Sequence, residues 1–287
     1  MIEELQITAN VAFIASTGRT ATTFLATALG TLPGVRSLHE GHNVEDKKSS
    51  VIPPINMEHR KAWHDLAFAE QLVTEKRSED ILLTAAGDFD HIIDVAYYNC
   101  PLVKQLFRLL PRARFIVIFR RCESFVRSAT TLHGEDPMPV GWPAIDKTLS
   151  TREQFIEFGR LKPARGSKAA DEWPKMSAIQ KNIWLWETTN EHLYDFCHSS
   201  PQGRVTTVFY EDLSEDSDSF WNTIFEGLGI PSEPSLLLVN AMVSQKMNSK
   251  QGGYQVPPAA QWSRKEREHL VKALLLEERI YESRHTG

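Results

Sequence analysis

The stretch VAFIASTGRTATTFLATALGTLPG, residues 11–34, reads as a strand, a tight turn and a helix in immediate succession. Residues 11–15 are an unbroken apolar run of strand length, the pattern of a strand buried on both faces. Phe24, Leu25, Ala28, Leu29 and Leu32 then recur at helical spacing, and Pro33 with Gly34 ends the helix. Between the two lie Gly18, Arg19, Thr20, Ala21, Thr22 and Thr23. A helix opening there exposes backbone N–H groups that have no intrahelical partner, and its dipole adds partial positive charge at the same point. Two adjacent hydroxyls and the Arg19 guanidinium complete a site for a phosphate or sulfate group.

A nucleotide-binding P-loop needs a Gly, four residues, then Gly-Lys and Ser or Thr. Here Gly18 stands alone and no Lys follows it, which weakens an ordinary ATP or GTP reading. The run Arg19-Thr20-Ala21-Thr22-Thr23 instead resembles the 5′-phosphosulfate loop of sulfotransferases that use 3′-phosphoadenosine 5′-phosphosulfate (PAPS). In that family Lys or Arg precedes Ser-Gly-Thr-Thr or Thr-Gly-Thr-Thr. Ala21 stands where Gly is usual, so the turn must avoid a positive φ there or accept strain.

Residues 114–119, RFIVIF, read as a second buried strand, followed at once by Arg120 and, eight positions later, by Ser128. The intervening segment has a helical apolar face of Phe125, Val126, Ala129 and Leu132. The resemblance implies that Arg120 and Ser128 bind the 3′-phosphate that distinguishes PAPS from ATP; the family's Asp-Pro is replaced by Arg121-Cys122. Residues 205–209 give a further strand, followed by Tyr210-Glu211-Asp212-Leu213 and a helix with apolar positions Phe220, Trp221, Ile224, Phe225 and Leu228, stopped by Gly229. Glu211 and Asp212 read as capping and strand-end pairing groups.

Related enzymes place a Glu or His near the end of the strand after the first helix, where this chain has Ser37-Leu38-His39-Glu40-Gly41-His42. Glu40 is the first candidate for the base that takes the acceptor's proton, His39 the second and His42 the third; hydrogen bonding to the acceptor is the other role open to them. The two histidines lack the four-residue offset of a helical metal pair, so no metal is expected. Lys246 and Lys250, in a Gly-containing segment, are candidates to close over the nucleotide.

Strands near 11–16, 81–85, 114–119 and 204–209 alternate with helices near 22–32, 100–110, 122–132 and 178–197. That alternation predicts an α/β fold, a central parallel sheet with helices on both faces, and the resemblance implies the P-loop-like sulfotransferase architecture. Residues 1–287 read as a single domain, with either a substrate-covering insert or a solvated surface excursion at 134–178, and a closing helix from Ser263 capped by Glu266. The length and 41% hydrophobic content suffice for a large core.

No signal peptide or membrane span is apparent, and Cys100, Cys122 and Cys197 are too scattered for a disulfide framework, so a soluble cytoplasmic protein is expected. A formal charge of −5 argues against broad nucleic-acid binding. The resemblance implies a sulfotransferase with PAPS as donor, 3′-phosphoadenosine 5′-phosphate (PAP) as product, and a small-molecule, carbohydrate or other hydroxyl or amine acceptor. A divergent P-loop kinase and a non-catalytic nucleotide-binding protein are the alternatives. Segments 41–70 and 134–178 would shape the acceptor pocket, where Trp63, Trp142 and Trp173 are candidates to stack on a ring.

Overall fold

The structure, a computed structural model, describes residues 9–39, 42–43, 56–77, 88–130, 142, 160–201, 203–243, 256–282 and 284. Its strands are β1 (Asn10–Ser16), β2 (Val35–His39), β3 (His42–Asn43), β4 (His91–Val95), β5 (Arg114–Phe119) and β6 (Val205–Phe209). They form one sheet in the order β3-β2-β4-β1-β5-β6. Every pairing is parallel except that of β2 with the two-residue β3 at the edge. The expected strand near 81–85 lies outside the described residues. The strand beside β1 is instead β4, whose apolar run is broken in the sequence by Asp94.

The described helices include α1 (Thr22–Leu29), α2 (Asn56–His64), α3 (Leu66–Leu72), α4 (Val103–Leu109), α5 (Cys122–Thr130), α6 (Lys168–Glu172), α7 (Ala178–Ser199), α8 (Asp212–Glu215), α9 (Ser217–Leu228), α10 (Ser232–Val243) and α11 (Arg264–Glu282). Strand alternation divides the core between the two faces of the sheet. Phe13, Ala15, Phe115, Val117 and Phe119 point to one face and meet Leu106, Phe125, Trp186, Phe196 and Ile280 from α4, α5, α7 and α11. Ala12, Ile14, Ile116 and Ile118 point to the other and meet Leu25, Leu29, Trp221, Phe225 and Val239 from α1, α9 and α10. Helices thus cover both faces, as the alternation of elements requires. Among the described residues no helix is long and apolar enough to cross a membrane.

Caps written in the sequence fix several boundaries. Ser177 and Gln180 form a reciprocal capping box at the start of α7, and Ser263 with Glu266 does the same for α11. Gly229 ends α9 at φ +73°, the left-handed conformation a helix C-terminus favours in glycine. The helix expected near 100–110 begins as a 3₁₀ turn, Tyr97–Leu102, because Pro101 lies inside it.

Of the proposed insert, residues 142 and 160–178 are described. Trp142 is buried and locked to α7 by Asn182, which accepts from the Trp142 N–H at 2.9 Å and donates to its carbonyl at 2.9 Å. Trp173 packs between Trp142 and Trp184, with ring centroids 5.0 and 5.3 Å away. Trp63 packs on His192 at 4.8 Å. These tryptophans therefore engage one another and neighbouring side chains.

The chain leaves β1 toward β2 and β4 on one side, then returns to β5 and β6 on the other. The helices that follow β1 and β5 lie on opposite faces, so their connecting turns diverge at the strands' carboxyl ends. In open α/β sheets that divergence is where ligands bind.

Candidate active site

The turn after β1 is built around a buried hydroxyl. Ser16 Oγ accepts from the Gly18 N–H at 3.0 Å and from the Thr20 hydroxyl at 2.8 Å. Thr20 is fully buried, so its side chain serves the turn. The chain enters the left-handed region at Gly18 (φ +86°), Arg19 (φ +58°) and Ala21 (φ +58°). Of the two outcomes open to Ala21, the protein therefore adopts the strained one. That geometry turns the backbone sharply into α1, where the Ala21 carbonyl accepts the first helical bond, from the Leu25 N–H at 2.9 Å.

No side chain caps α1, and its first turn holds no acidic residue. The leading N–H groups and the positive end of the dipole are left for an anion. An L-residue in the left-handed region costs about 1–2 kcal/mol, against roughly 0.5–1 kcal/mol of extra unfolded-state entropy for glycine. Ala21→Gly is therefore expected to stabilise the fold by about 0.5–1 kcal/mol, seen as a rise of about 1–4 °C in melting temperature. A lower melting temperature would mean that the strain account is wrong.

The turn after β5 meets this one. Arg120 donates through Nη1 to the Arg19 carbonyl and through Nε to Ser124 Oγ at 2.9 Å. Its guanidinium lies over the Tyr210 ring at 4.2 Å, and its own carbonyl accepts from the Trp186 indole at 2.8 Å. Arg19 Nε donates to Ser128 Oγ at 2.9 Å. The sequence assigned Arg120 and Ser128 to one phosphate; in the fold Ser128 bonds Arg19, and Ser124, one turn earlier on α5, bonds Arg120. The Arg120–Ser124 bond is local, whereas the Arg19–Ser128 bond arises because β1 and β5 are neighbours in the sheet.

Burial and, next, the charge of Arg120 push the Arg19 pKa down to about 10. Tyr210 opposes that shift and Arg160 adds to it. Arg19 is still cationic at neutral pH. Burial likewise lowers the Arg120 pKa, with Tyr210 and Glu211 acting against it. Guanidinium groups so placed destabilise one another until an anion enters.

His39, at the end of β2, places Nε2 3.2 Å from Thr23 Oγ1 and 3.3 Å from Thr22 Oγ1. The second candidate base is thereby joined to the turn after β1 and the start of α1. Glu40 and Lys250 lie outside the described residues, and His42 falls in β3. Glu211 has the structural role read for it: its carboxylate accepts from the Arg121 N–H at 3.0 Å and from the Tyr281 hydroxyl at 2.6 Å. Asp212 pairs with Arg284. Glu277, from α11, accepts from the Cys122 N–H at 2.6 Å and so caps α5 from outside. Arg160 is a cationic neighbour of Arg19 that the sequence did not single out, since an isolated Arg in a charged segment carries no local signal.

Open parallel sheets with a basic, hydroxyl-lined turn at the switch point form a class of α/β proteins that hold an anionic group. Within it, the sulfotransferase-domain family profile matches residues 12–212, and the chain belongs to that family of sulfate-transferring enzymes. No curated protein matches the sequence. Similar solved structures include the sulfotransferase domain of the Synechococcus PCC 7002 olefin synthase, at 16% identity over 93% of this chain and 95% of that one, with a TM-score of 0.48. Sulfotransferase STF1 from Mycobacterium tuberculosis H37Rv aligns at 12% identity over 91% and 76%, TM-score 0.49. Mouse sulfotransferase SULT7A1, complexed with PAP, aligns at 13% over 92% and 82%, TM-score 0.39.

Proposed function

We propose that this protein transfers a sulfuryl group from PAPS to a hydroxyl or amine of its acceptor, with residues 1–287 acting as one domain. The observation that carries the reading is the direct contact between the arginine after β1 and the arginine after β5, beside an uncapped helix N-terminus. One nucleotide with phosphates at both ends of its ribose needs two adjacent cationic groups of this kind. Gly18, the backbone N–H groups around Thr20 and Ala21, and the Thr22 and Thr23 hydroxyls would hold the 5′-phosphate. Arg120, Ser124 and Ser128 would hold the 3′-phosphate, and Arg19 would face the bridging oxygen.

PAPS supplies the activated sulfur: the acceptor oxygen or nitrogen forms a bond to sulfur as the bridging S–O bond breaks, and PAP departs. Arg19 stabilises charge on the departing oxygen, and the acceptor's proton goes to Glu40 or His39. The contacts of His39 Nε2 with both loop threonines support this role for its imidazole. Positioning and charge stabilisation carry such a transfer, and no metal is called on.

PAP at about 100 times its dissociation constant is expected to add about 2.7 kcal/mol, or roughly 5–10 °C in melting temperature, while ATP, which lacks the 3′-phosphate, adds little. Equal shifts with both nucleotides, or a shift with ATP that needs magnesium, would overturn the donor assignment in favour of a kinase. A PAP shift without sulfation of any acceptor in a cell extract would instead point to a nucleotide-binding protein without turnover.

A further inference from the structure

Arg160 and the segment behind it are built inward. Arg160 is only 5% exposed and the following Leu161 is fully buried. The Arg160 guanidinium lies 4.4 Å over the Tyr97 ring. Among the described residues its guanidinium makes no hydrogen bond or ion pair, and the Tyr97 ring is the contact it keeps. A buried cation resting on one aromatic face is only partly compensated for the water it has lost.

Tyr97 stands just beyond β4, and a side chain at Gly18 would begin 3.6 Å from the Tyr97 Cβ. Tyr97 therefore backs the turn that carries Arg19. β4 pairs with β1 on the side opposite β5. Arg160 over Tyr97 and Arg120 after β5 thus flank that turn from its two sides. The proposed 3′-phosphate contacts lie on the β5 flank; the β4 flank is next to β2, whose last residue is His39, the imidazole bonded to the loop threonines.

We infer that Arg160, held on Tyr97, is a further anion-binding arm of the site and takes an oxyanion on the β4 flank, where sulfur is transferred. This rests on the sulfotransferase reading above. Two groups there carry the required chemistry: the sulfuryl oxygens of the donor, and a carboxylate, phosphate or sulfate borne by the acceptor. Both are oxyanions that a planar guanidinium can take with two parallel N–H bonds. The charge of Arg160 already reaches Arg19, so an anion between them would meet both cations.

The test compares wild type with Arg160→Gln and Arg160→Lys by calorimetric titration without acceptor. PAP and PAPS differ by the sulfuryl group alone. Arg160→Gln is expected to leave PAP affinity within about twofold, and to weaken by about tenfold either PAPS or the binding of inorganic sulfate to PAPS-loaded protein. Loss in the PAPS titration assigns the oxyanion to the donor; loss confined to the sulfate titration assigns it to the acceptor. Arg160→Lys should restore part of whichever affinity is lost. The melting temperature of ligand-free Arg160→Gln should hold or rise, because a buried charge compensated only by the Tyr97 ring has gone.

Equal weakening of PAP and PAPS, or no change in either titration, overturns the inference. A wild type that binds no PAP would instead break the donor reading. Sulfate binding to the unloaded protein then decides for Arg160: tenfold loss in Arg160→Gln supports it, and unchanged affinity refutes it.

Discussion

Arg19→Ala is expected to lower kcat by about a hundredfold to a thousandfold, the usual consequence of removing one preorganised group aimed at developing charge. That range corresponds to about 2.7–4 kcal/mol of transition-state stabilisation. The size follows from the site. Arg19 is held by Ser128 and packed beside Arg120, so no reorganisation is needed when charge appears on the bridging oxygen. Its pKa near 10 keeps it charged across the neutral range, so no pH adjustment there can mimic its loss.

The effect should fall mainly on kcat, because the interaction strengthens as the S–O bond breaks; PAP affinity should fall less. Stability should not suffer, since removing Arg19 relieves repulsion with Arg120 and Arg160. Arg19→Lys should retain part of the rate, as a point charge without the fork that reaches both Ser128 and the leaving oxygen. Initial rates with a sulfate-labelled donor, beside a PAP titration of the same variant, check both halves. Wild-type turnover in Arg19→Ala would remove Arg19 from the chemistry altogether.

What the sequence revealed of this site was local. The apolar run before the turn and the helical spacing after it each depend on neighbours within a few residues, and both elements form where read. Arg120 was legible for the same reason, directly after an apolar strand. Ala21 marks the limit of that reasoning: the sequence posed a choice between positive φ and another path, and only the packed turn around Ser16 selects positive φ. β4 escaped because Asp94 interrupts its apolar run, although it pairs directly with the apolar strand β1.

The bond of Ser128 to Arg19, at a separation of 109, and the place of Arg160 over Tyr97 depend on contacts between parts of the chain that are distant in sequence. No window of sequence contains that information. It exists only once β1 and β5 lie side by side.

Phe115→Ala is expected to destabilise the protein by about 3–5 kcal/mol, the range for deleting a buried aromatic ring. Phe115 is fully buried on β5. Its ring centroid lies 5.5 Å from that of Phe13 on β1, 5.6 Å from Phe107 on α4 and 5.6 Å from Phe196 on α7. Rings converging from three elements cannot all shift to fill the space, because Phe13 is fixed by its own strand pairing, so the cavity term should remain. Urea unfolding should show a lower midpoint with an unchanged slope, and Leu237→Ala, at a side chain 77% exposed, should stay within about 0.5 kcal/mol of wild type. A loss below about 1 kcal/mol would show that the β1–β5 face repacks. The register that sets Arg19 against Arg120 would then rest on backbone pairing, with little contribution from this aromatic cluster.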